Sequence, residues 1–133
     1  MTTGYVLFRL ADQTFATPLD EVREIVRLEG IETLPGTQPP LAGVIIVRGA
    51  PLPVHDVRAA PGRGDVLVMD DEHDALGIAV DQVIAVLHPD ELPEAEATPL
   101  SLPSYVVGVR RYAGAPVMLV DLHLLRQLGV GQT

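Results

Sequence analysis

The chain has 133 residues, the size of one ordinary domain, and 47% of them are hydrophobic, which is enough for a core and excludes a disordered tail. Its formal net charge of −9 repels phosphate backbones and anionic lipid, which disfavours nucleic acid and bare membrane as partners. Cysteine is absent, which removes disulfides, thiolate chemistry and cysteine-based metal sites and fits a reducing cytosol.

No targeting signal precedes the first predicted element. Residues 1–4 lead directly into a strand-like pattern, without a basic segment or a long apolar run. The longest clean apolar run, residues 43–47, is far too short to span a bilayer. We therefore expect a cytoplasmic protein without direct membrane insertion.

Short segments rich in Val, Ile, Leu, Phe and Tyr alternate with Gly, Pro and Asp along the first half. This composition is typical of strands joined by hairpins. Polar hairpin tips are predicted at 11–13 and 71–74, and tips with a positive-φ glycine at 49–50 and 114–115. The predicted strands are residues 5–10, 14–18, 43–48 and 52–54.

Helix is predicted mainly at the C-terminal end. Residues 121–128 begin with Asp121 as an N-cap, contain the apolar residues Leu124, Leu125 and Leu128, and are followed by Gly129. Residues 19–26 fit either a helical turn or a strand, because periodicity does not separate the two at that length. The predicted fold class is therefore mainly all-β with a short C-terminal helix.

The two halves of the chain resemble each other. Shifted by 61 positions, residues 19–22 fall on residues 80–83 without a gap. Shifted by 65 positions, residues 43–57 hold six identities in fifteen with residues 108–122, several of them at glycine, proline and aspartate positions where turn chemistry is demanding. Such self-similarity indicates two copies of one structural unit. Positions that agree between the copies, such as Gly43, are predicted to serve the scaffold.

Each copy contains several short strands, and closing them into a small barrel removes exposed sheet edges. The sequence therefore predicts a single domain, 1–133, made of two barrels, one from each copy. The first copy spans about residues 5–58, a linker covers 59–65, and the second copy spans about 66–128. Because a unit of this size is marginal alone, the barrels should pack on a shared core and fold as one body.

Two aspartates, Asp56 and Asp121, occupy equivalent places in the copies. Two carboxylates from two β lobes that share a proton form the aspartic-protease arrangement, which gives a hydrolase hypothesis. Their neighbours Val57 and Leu122 are bulky where such a catalytic loop needs small residues. The favoured interpretation is that each aspartate ends a strand and caps the next turn by bonding backbone N–H groups.

Other site chemistry has little support in the sequence. The four histidines, His55, His73, His88 and His123, show no zinc spacing, and the acidic segments follow no calcium-loop order. Glycine-rich phosphate loops and the serine-nucleophile motif are missing, and aromatics are only 4%, too few for a base-stacking platform. We therefore expect no catalytic residue, no cofactor and no metal, and interpret the chain as a binding module.

Residues 43–58 read GVIIVRGAPLPVHDVR. This stretch resembles the Gly-Val-Ile-Asn-Leu-Arg-Gly and Pro-Val-x-Asp-Leu-Arg pattern of the CheW family. Residues 22–25 are similar to the family's Val-x-Glu-Ile, and residues 76–83 to its Val-Gly-Leu-x-Val-Asp-x-Val. The resemblance runs from about Tyr5 to Leu128, and the order and spacing of its fragments make it specific.

The resemblance implies two SH3-like five-stranded β-barrels around a shared hydrophobic interface, and no catalytic activity. It implies an adaptor that binds the regulatory domain of a CheA-type histidine kinase and the cytoplasmic tip of a methyl-accepting chemotaxis receptor, in arrays at the membrane. The receptor's helical hairpin is expected in a groove between the barrels. Two alternatives stay open: a stand-alone competitor that binds the kinase without receptors, and the hydrolase that uses Asp56 and Asp121.

Arg48 and Glu24 are the first two predicted partner-binding residues. They align with Ala113 and Ala85 of the second copy, so the scaffold does not need them. One interpretation of Arg48 is a surface salt bridge, to Glu24 or to Asp56, which would contribute little to stability. The other is an interface residue, because the planar fork of arginine is enriched at interfaces. The family pattern favours the second.

Val22 and Ile46 are the other two predicted partner-binding residues. They are candidates for the apolar centre of the site, with plain core as the alternative. Ile46 stands where the family pattern has asparagine, so any hydrogen bond made by that asparagine is missing here. In the second copy, Arg110 and Arg111 occupy the places of two apolar residues of the first.

Overall fold

The computed structural model describes residues 3–37, 41–70, 74–94 and 101–125. The strands of the first half are β1 (Tyr5–Leu10), β2 (Gln13–Pro18), β3 (Glu24–Leu28), β4 (Leu41–Val47) and β5 (Ala50–Asp56). Those of the second half are β6 (Gly64–Asp70), β7 (Ala75–Val80), β8 (Gln82–Leu87), β9 (Val106–Tyr112) and β10 (Ala115–Val120), followed by the helix α1 (Leu122–Leu125). Single 3-10 turns cover Leu19–Glu21 and Pro89–Glu91. None of the described helices is long and apolar enough to cross a membrane.

Most predicted elements are confirmed, with boundaries shifted by a few residues. The ambiguous residues 19–26 form both alternatives in succession, a 3-10 turn that ends at Glu21 and then β3 from Glu24. α1 confirms the start of the predicted C-terminal helix. The rest of that helix, from residue 126, and most of the hairpin tip predicted at 71–74 lie outside the described residues.

The tips of the β4–β5 and β9–β10 hairpins share one backbone conformation. Arg48 and Gly49 have φ values of 50° and 82°, and Ala113 and Gly114 have 52° and 84°. Two successive positive φ values are typical of a type I′ turn, whose twist matches the flanking strands. The positive-φ glycines are confirmed, but each tip lies one residue earlier than predicted. Arg48 therefore holds a left-handed conformation that is unfavourable for a non-glycine residue.

The strands form two five-stranded sheets that curl into barrels. Sheet A has the order β8-β1-β2-β10-β9, and sheet B has the order β3-β6-β7-β5-β4. Replacing each strand of sheet A by its counterpart from the other copy gives the order of sheet B. The internal repeat is therefore a pseudo-two-fold relation between the sheets, and the predicted pair of five-stranded barrels is confirmed.

Each sheet takes strands from both copies of the repeat. β1 and β2 of the first copy pair with β8 and β10 of the second, and β3 and β5 pair with β6 and β7. The expectation that each copy closes its own barrel is therefore wrong. The alignment of the two copies shows that their local sequences are similar. It gives no information on whether the strands pair within one copy or between the copies, because both arrangements produce the same alignment.

Apolar side chains gather in three clusters. One fills the inside of sheet A and includes Leu7, and a second fills the inside of sheet B and includes Val54. The third lies between the sheets and joins Phe8 of sheet A to Ile78 of sheet B, both fully buried. Burial of one such side chain is worth about 1.5–3 kcal/mol. This third cluster, the central core, is what holds the two barrels as one body.

Candidate functional site

Glu24, Ile46 and Arg48 lie at one rim of sheet B, and we call these three residues the edge site. β3 and β4 are the two outer strands of this sheet, and its curl brings them near each other. Arg48 Nη2 donates a hydrogen bond to Glu24 Oε1 at 2.6 Å. A backbone bridge between Glu32 and Val44 also links this side of β4 to the segment that follows β3. Of the two salt-bridge partners proposed for Arg48, Glu24 is the one observed.

The Glu24–Arg48 pair is accessible to solvent. The side chain of Arg48 is 70% exposed, and that of Glu24 is 26% exposed. The hydrogen bond from Arg48 lowers the pKa of Glu24, and the same bond raises the pKa of Arg48, so both groups are charged at neutral pH. Because water screens exposed charges, such a pair contributes little to folding. Its charge is available to a partner.

Ile46 presents both an apolar side chain and a strand edge to solvent. Its side chain is 59% exposed. Pro51 lies opposite Ile46 in the β4–β5 ladder, and a proline has no N–H with which to form a hydrogen-bonded pair. Two residues earlier, the backbone of Val44 bonds Glu32 on the side away from β5. The N–H and C=O of Ile46 therefore point to the same open side.

Two clefts flank the edge site, and Arg48 borders both. One has a volume of about 330 Å³ and is lined by residues that include Arg23, Glu24, Pro51 and Asp74. The other has a volume of about 360 Å³ and is lined by residues that include Val26, Glu29 and Ile46. An arginine that stands between two hollows can be enclosed on both sides by a partner, which is the desolvated setting that strengthens its hydrogen bonds.

Val22 is placed differently from the other predicted partner-binding residues. It is half-buried and packs against the central core, as do Leu19 and Ile25. Its N–H bonds the carbonyl oxygen of Leu19 at 3.0 Å and closes the 3-10 turn before β3. The structure thus brings three of the four predicted residues together and places Val22 against the core, the alternative that the sequence left open.

The equivalent rim of sheet A carries different chemistry. Alanines stand at both positions of the edge-site salt bridge. Arg110 of β9 pairs instead with Glu94 at 2.8 Å. The exposed large apolar side chains of this sheet include Ile84, Val86 and Val107. Sequence reasoning missed the two on β8, although every second residue of that strand is more buried, and the alternation would have identified Ile84 and Val86 as the outward pair.

Asp56 and Asp121 act as caps. Asp56 Oδ1 accepts the N–H of Arg58 at 3.0 Å, and Asp121 Oδ1 accepts the N–H of His123 at 2.8 Å. The interpretation of both residues as strand-end caps is therefore confirmed. Burial raises the pKa of Asp56, but the hydrogen bonds and charge of Arg58 outweigh it and hold the pKa below its ordinary value. A carboxylate held in this ion pair, at 2.8 Å, is a poor member of a proton-sharing dyad.

Glu21 is an unusual carboxylate. Burial and then the nearby charge of Asp121 raise its pKa, against the opposing effects of His123 and of a hydrogen bond from the backbone of Leu122. Its Oε1 atom is buried and has no hydrogen-bond partner within the described part of the chain. These contacts place the start of α1 against the turn that precedes β3. Among the described residues, no group of three or more His, Cys, Asp or Glu side chains is positioned to hold a metal.

Comparison with known proteins identifies the relatives of this fold. The family model of the CheW-like domain matches residues 4–129. Among solved structures, the chain is similar to the scaffolding protein TtCheW from Thermoanaerobacter tengcongensis, with a TM-score of 0.72 and 21% sequence identity. The similarity covers 94% of this chain and 88% of that one, and it shows a shared fold. No curated protein is similar enough in sequence to count as a match.

Proposed function

This chain belongs to the CheW-like domain family, and from that premise we propose that it is a non-enzymatic adaptor of chemotaxis or motility signalling. It couples methyl-accepting chemotaxis receptors to a CheA-type histidine kinase, by binding the regulatory domain of the kinase and the cytoplasmic tip of the receptor. It acts in the cytoplasm and is recruited to receptor arrays at the membrane. Its resemblance in fold to a protein described as a scaffold supports this role.

The edge site is the observation that carries the proposal. The two sheets share their strand order, yet the exposed Glu24–Arg48 salt bridge of sheet B is replaced by alanines in sheet A. Ala113 holds nearly the same φ as Arg48, so the hairpin turn does not require an arginine. Arg48 is exposed, has an unfavourable backbone conformation and is not required by the hairpin. A role in binding explains why an arginine stands at this position.

The edge site also has the composition of a protein-binding patch. Ile46 supplies an exposed apolar surface, and Glu24 orients the guanidinium of Arg48 through a short hydrogen bond. A guanidinium has five N–H donors, so the others remain to bond a carboxylate or carbonyl of a partner. Removal of either charged residue would leave the other without its orienting partner.

Titration calorimetry of Arg48→Ala and Glu24→Ala tests the assignment. We expect each variant to lose affinity for the kinase regulatory domain, the receptor-tip fragment or both by at least about tenfold, the effect typical of a central interface arginine. The melting temperature should fall by no more than a few degrees, because the second copy has alanine at both positions. Arg111→Ala is the matched control, since Arg111 is an exposed arginine at the rim of sheet A.

The outcomes separate the proposal from its alternatives. Wild-type affinity of both variants for both fragments contradicts the site, and weak binding caused by unfolding contradicts the argument from the repeat. A wild-type protein that binds the kinase fragment but not the receptor fragment is the stand-alone competitor, which the replacement of the family asparagine by Ile46 favours. The hydrolase alternative has no support in Asp56, whose carboxylate is bonded to Arg58.

A further inference from the structure

The carboxylate of Glu21 lies where the first copy of the repeat meets the end of the second. Glu21 closes the 3-10 turn before β3, and it accepts a hydrogen bond from the backbone of Leu122, the first residue of α1. Its Oε1 atom is buried without a hydrogen-bond partner among the described residues. A buried oxygen without a partner costs free energy that water would supply if the contact opened. The contact between this turn and α1 is therefore held against a penalty.

α1 is attached to the central core mainly by its leucines. Leu122 and Leu125 are fully buried in that core, against which Val22 also packs. The N–H groups of Leu124 and Leu125 both bond the carbonyl oxygen of Asp121, at 3.1 and 2.9 Å. A single helical turn has little stability of its own. The position of α1 therefore depends on the burial of two leucines and on the contact with Glu21.

The charges around Glu21 oppose that contact. Asp121 on the side of α1 and Asp20 in the 3-10 turn both repel a charged carboxylate at this position. His123 of α1 acts in the opposite direction when it is protonated. Burial and then the charge of Asp121 are the largest influences, and they raise the pKa of Glu21. Release of α1 would therefore relieve the charged form of Glu21 and leave the neutral form without a comparable gain.

Protonation of Glu21 is for this reason coupled to the seating of α1. A carboxyl group whose pKa is raised while α1 is seated takes up protons as α1 seats. The seated state gains most below 4.5, the ordinary pKa of a glutamate, and this gain is lost as the pH rises through the raised value. Acid therefore strengthens the attachment of α1, and a charged Glu21 weakens it.

We propose that α1 is a pH-sensitive latch on the central core, which the neutral carboxyl group of Glu21 holds closed and its charged form loosens. The latch joins the last described element of the second copy to the turn that leads into β3 of the first copy. When it loosens, apolar side chains of the central core gain contact with water. The latch is a property of the chain alone, so it stands or fails independently of the edge site and of any partner.

Amide hydrogen exchange followed by NMR on the full-length protein provides the test. The reporters are the amides of Leu124 and Leu125, with rates corrected for the intrinsic effect of pH. We expect their protection in the wild type to rise at least about threefold as the pH falls from neutral to 4.5. Glu21→Gln should keep the high protection at every pH, because an amide oxygen stays neutral and still accepts the bond from Leu122. Glu29→Gln is the matched control and should follow the wild type, since Glu29 is an exposed glutamate just after β3.

The remaining outcomes either support or overturn the proposal. Wild-type protection that is constant, or that falls towards acidic pH, overturns it. So does a pH dependence that persists in Glu21→Gln, or one that Glu29→Gln removes equally. A pH dependence that is lost in His123→Gln and kept in Glu21→Gln would assign the titration to His123 instead. If Glu21→Gln does not fold, Glu21→Ala replaces it, and its protection should be lower than that of the wild type at acidic pH and no longer vary with pH.

Discussion

Sheet A and sheet B have the same arrangement of strands and apolar interiors, but they differ in the side chains at their exposed rims. Their strand orders are related position by position, and their interiors are apolar in both. At the rim, sheet B carries the Glu24–Arg48 ion pair and sheet A carries alanines. Interior positions are constrained by packing, whereas exposed rim positions are free of that constraint and can carry residues that bind a partner. Divergence between the copies therefore identifies candidate binding residues.

The comparison also shows that the two copies depend on each other. Residues 1–60 contain β1 and β2 without β8 and β10, and β3 and β5 without β6 and β7. Expressed alone, this half should aggregate and show no cooperative melt, because it can close neither barrel and exposes unpaired strand edges. Thermal melts followed by circular dichroism measure this effect, the largest that we expect.

Co-expression of residues 1–60 with residues 61–133 is the control for that experiment. The two pieces together contain every strand of both sheets and should restore a single melting transition. A soluble first half with a sharp melt of its own would show that one copy can close a barrel unaided, and the exchange of strands would then not be essential to the fold.

Gly43 and Gly108 test whether agreement between the copies means equal constraint. A Cβ on Gly43, at φ 155°, would overlap the carbonyl oxygen of Glu32 and approach Ile31 Cγ2 to 2.8 Å. Among the residues that the structure describes, a Cβ on Gly108 would meet nothing closer than Leu119, at 3.8 Å. We expect Gly43→Ala to cost about 3 kcal/mol and about 10 °C in Tm, and Gly108→Ala to cost less than about 0.5 kcal/mol. Thermal melts of the two variants show whether Gly43 and Gly108 are equally or unequally constrained.

Each variant is the other's control in that experiment. Equal and large losses would mean that both glycines serve a common backbone requirement, as the repeat alone suggests. Two small losses would mean that Glu32 moves aside without cost. Only the unequal result supports the view that the sheets, although related, close their edges differently.

Features that depend on neighbouring residues could be predicted from the sequence. The positive φ values of Gly49 and Gly114 follow from turn chemistry, and the caps of Asp56 and Asp121 follow from the reach of a short carboxylate to an N–H two residues on. The strand exchange could not be predicted, because pairing within a copy and pairing between copies demand the same local pattern.

The candidate site was only partly predictable for the same reason. The repeat marks Arg48 and Glu24 as dispensable to the scaffold, but their contact depends on the curl of sheet B, which brings residues 24 apart in sequence together. Val22 resembles a binding residue in sequence but packs against the central core, to which α1 also contributes. Val86 was missed, although the alternation of exposure along β8 marks it as an outward residue.

The two capping aspartates have different charged neighbours, so the two copies also differ in the pH dependence that we expect of their stability. Asp56 lies beside Arg58, which holds its pKa down against burial, whereas Asp121 lies beside Glu21, whose pKa is raised by burial and then by that charge. A depressed folded-state pKa gives stability above the unfolded pKa that is lost as the pH falls through the folded value. A raised one gives stability below the unfolded pKa that is lost as the pH rises through the folded value.

Asp56→Asn and Glu21→Gln should therefore shift stability in opposite directions, by a few degrees at most. At neutral pH, Asp56→Asn should melt below wild type because it loses the ion pair with Arg58. Glu21→Gln should melt above wild type because it removes a buried carboxylate charge next to Asp121. Both differences should shrink as the pH falls, and the second should vanish only below 4.5, the ordinary pKa of a glutamate, because Glu21 is then neutral in the unfolded as well as in the folded state. Melting curves from neutral to acidic pH measure both variants.

A Glu21→Gln variant that is less stable than wild type at neutral pH would contradict this prediction. It would show that the bond of the carboxylate to the backbone of Leu122, at the start of α1, outweighs the penalty of its burial.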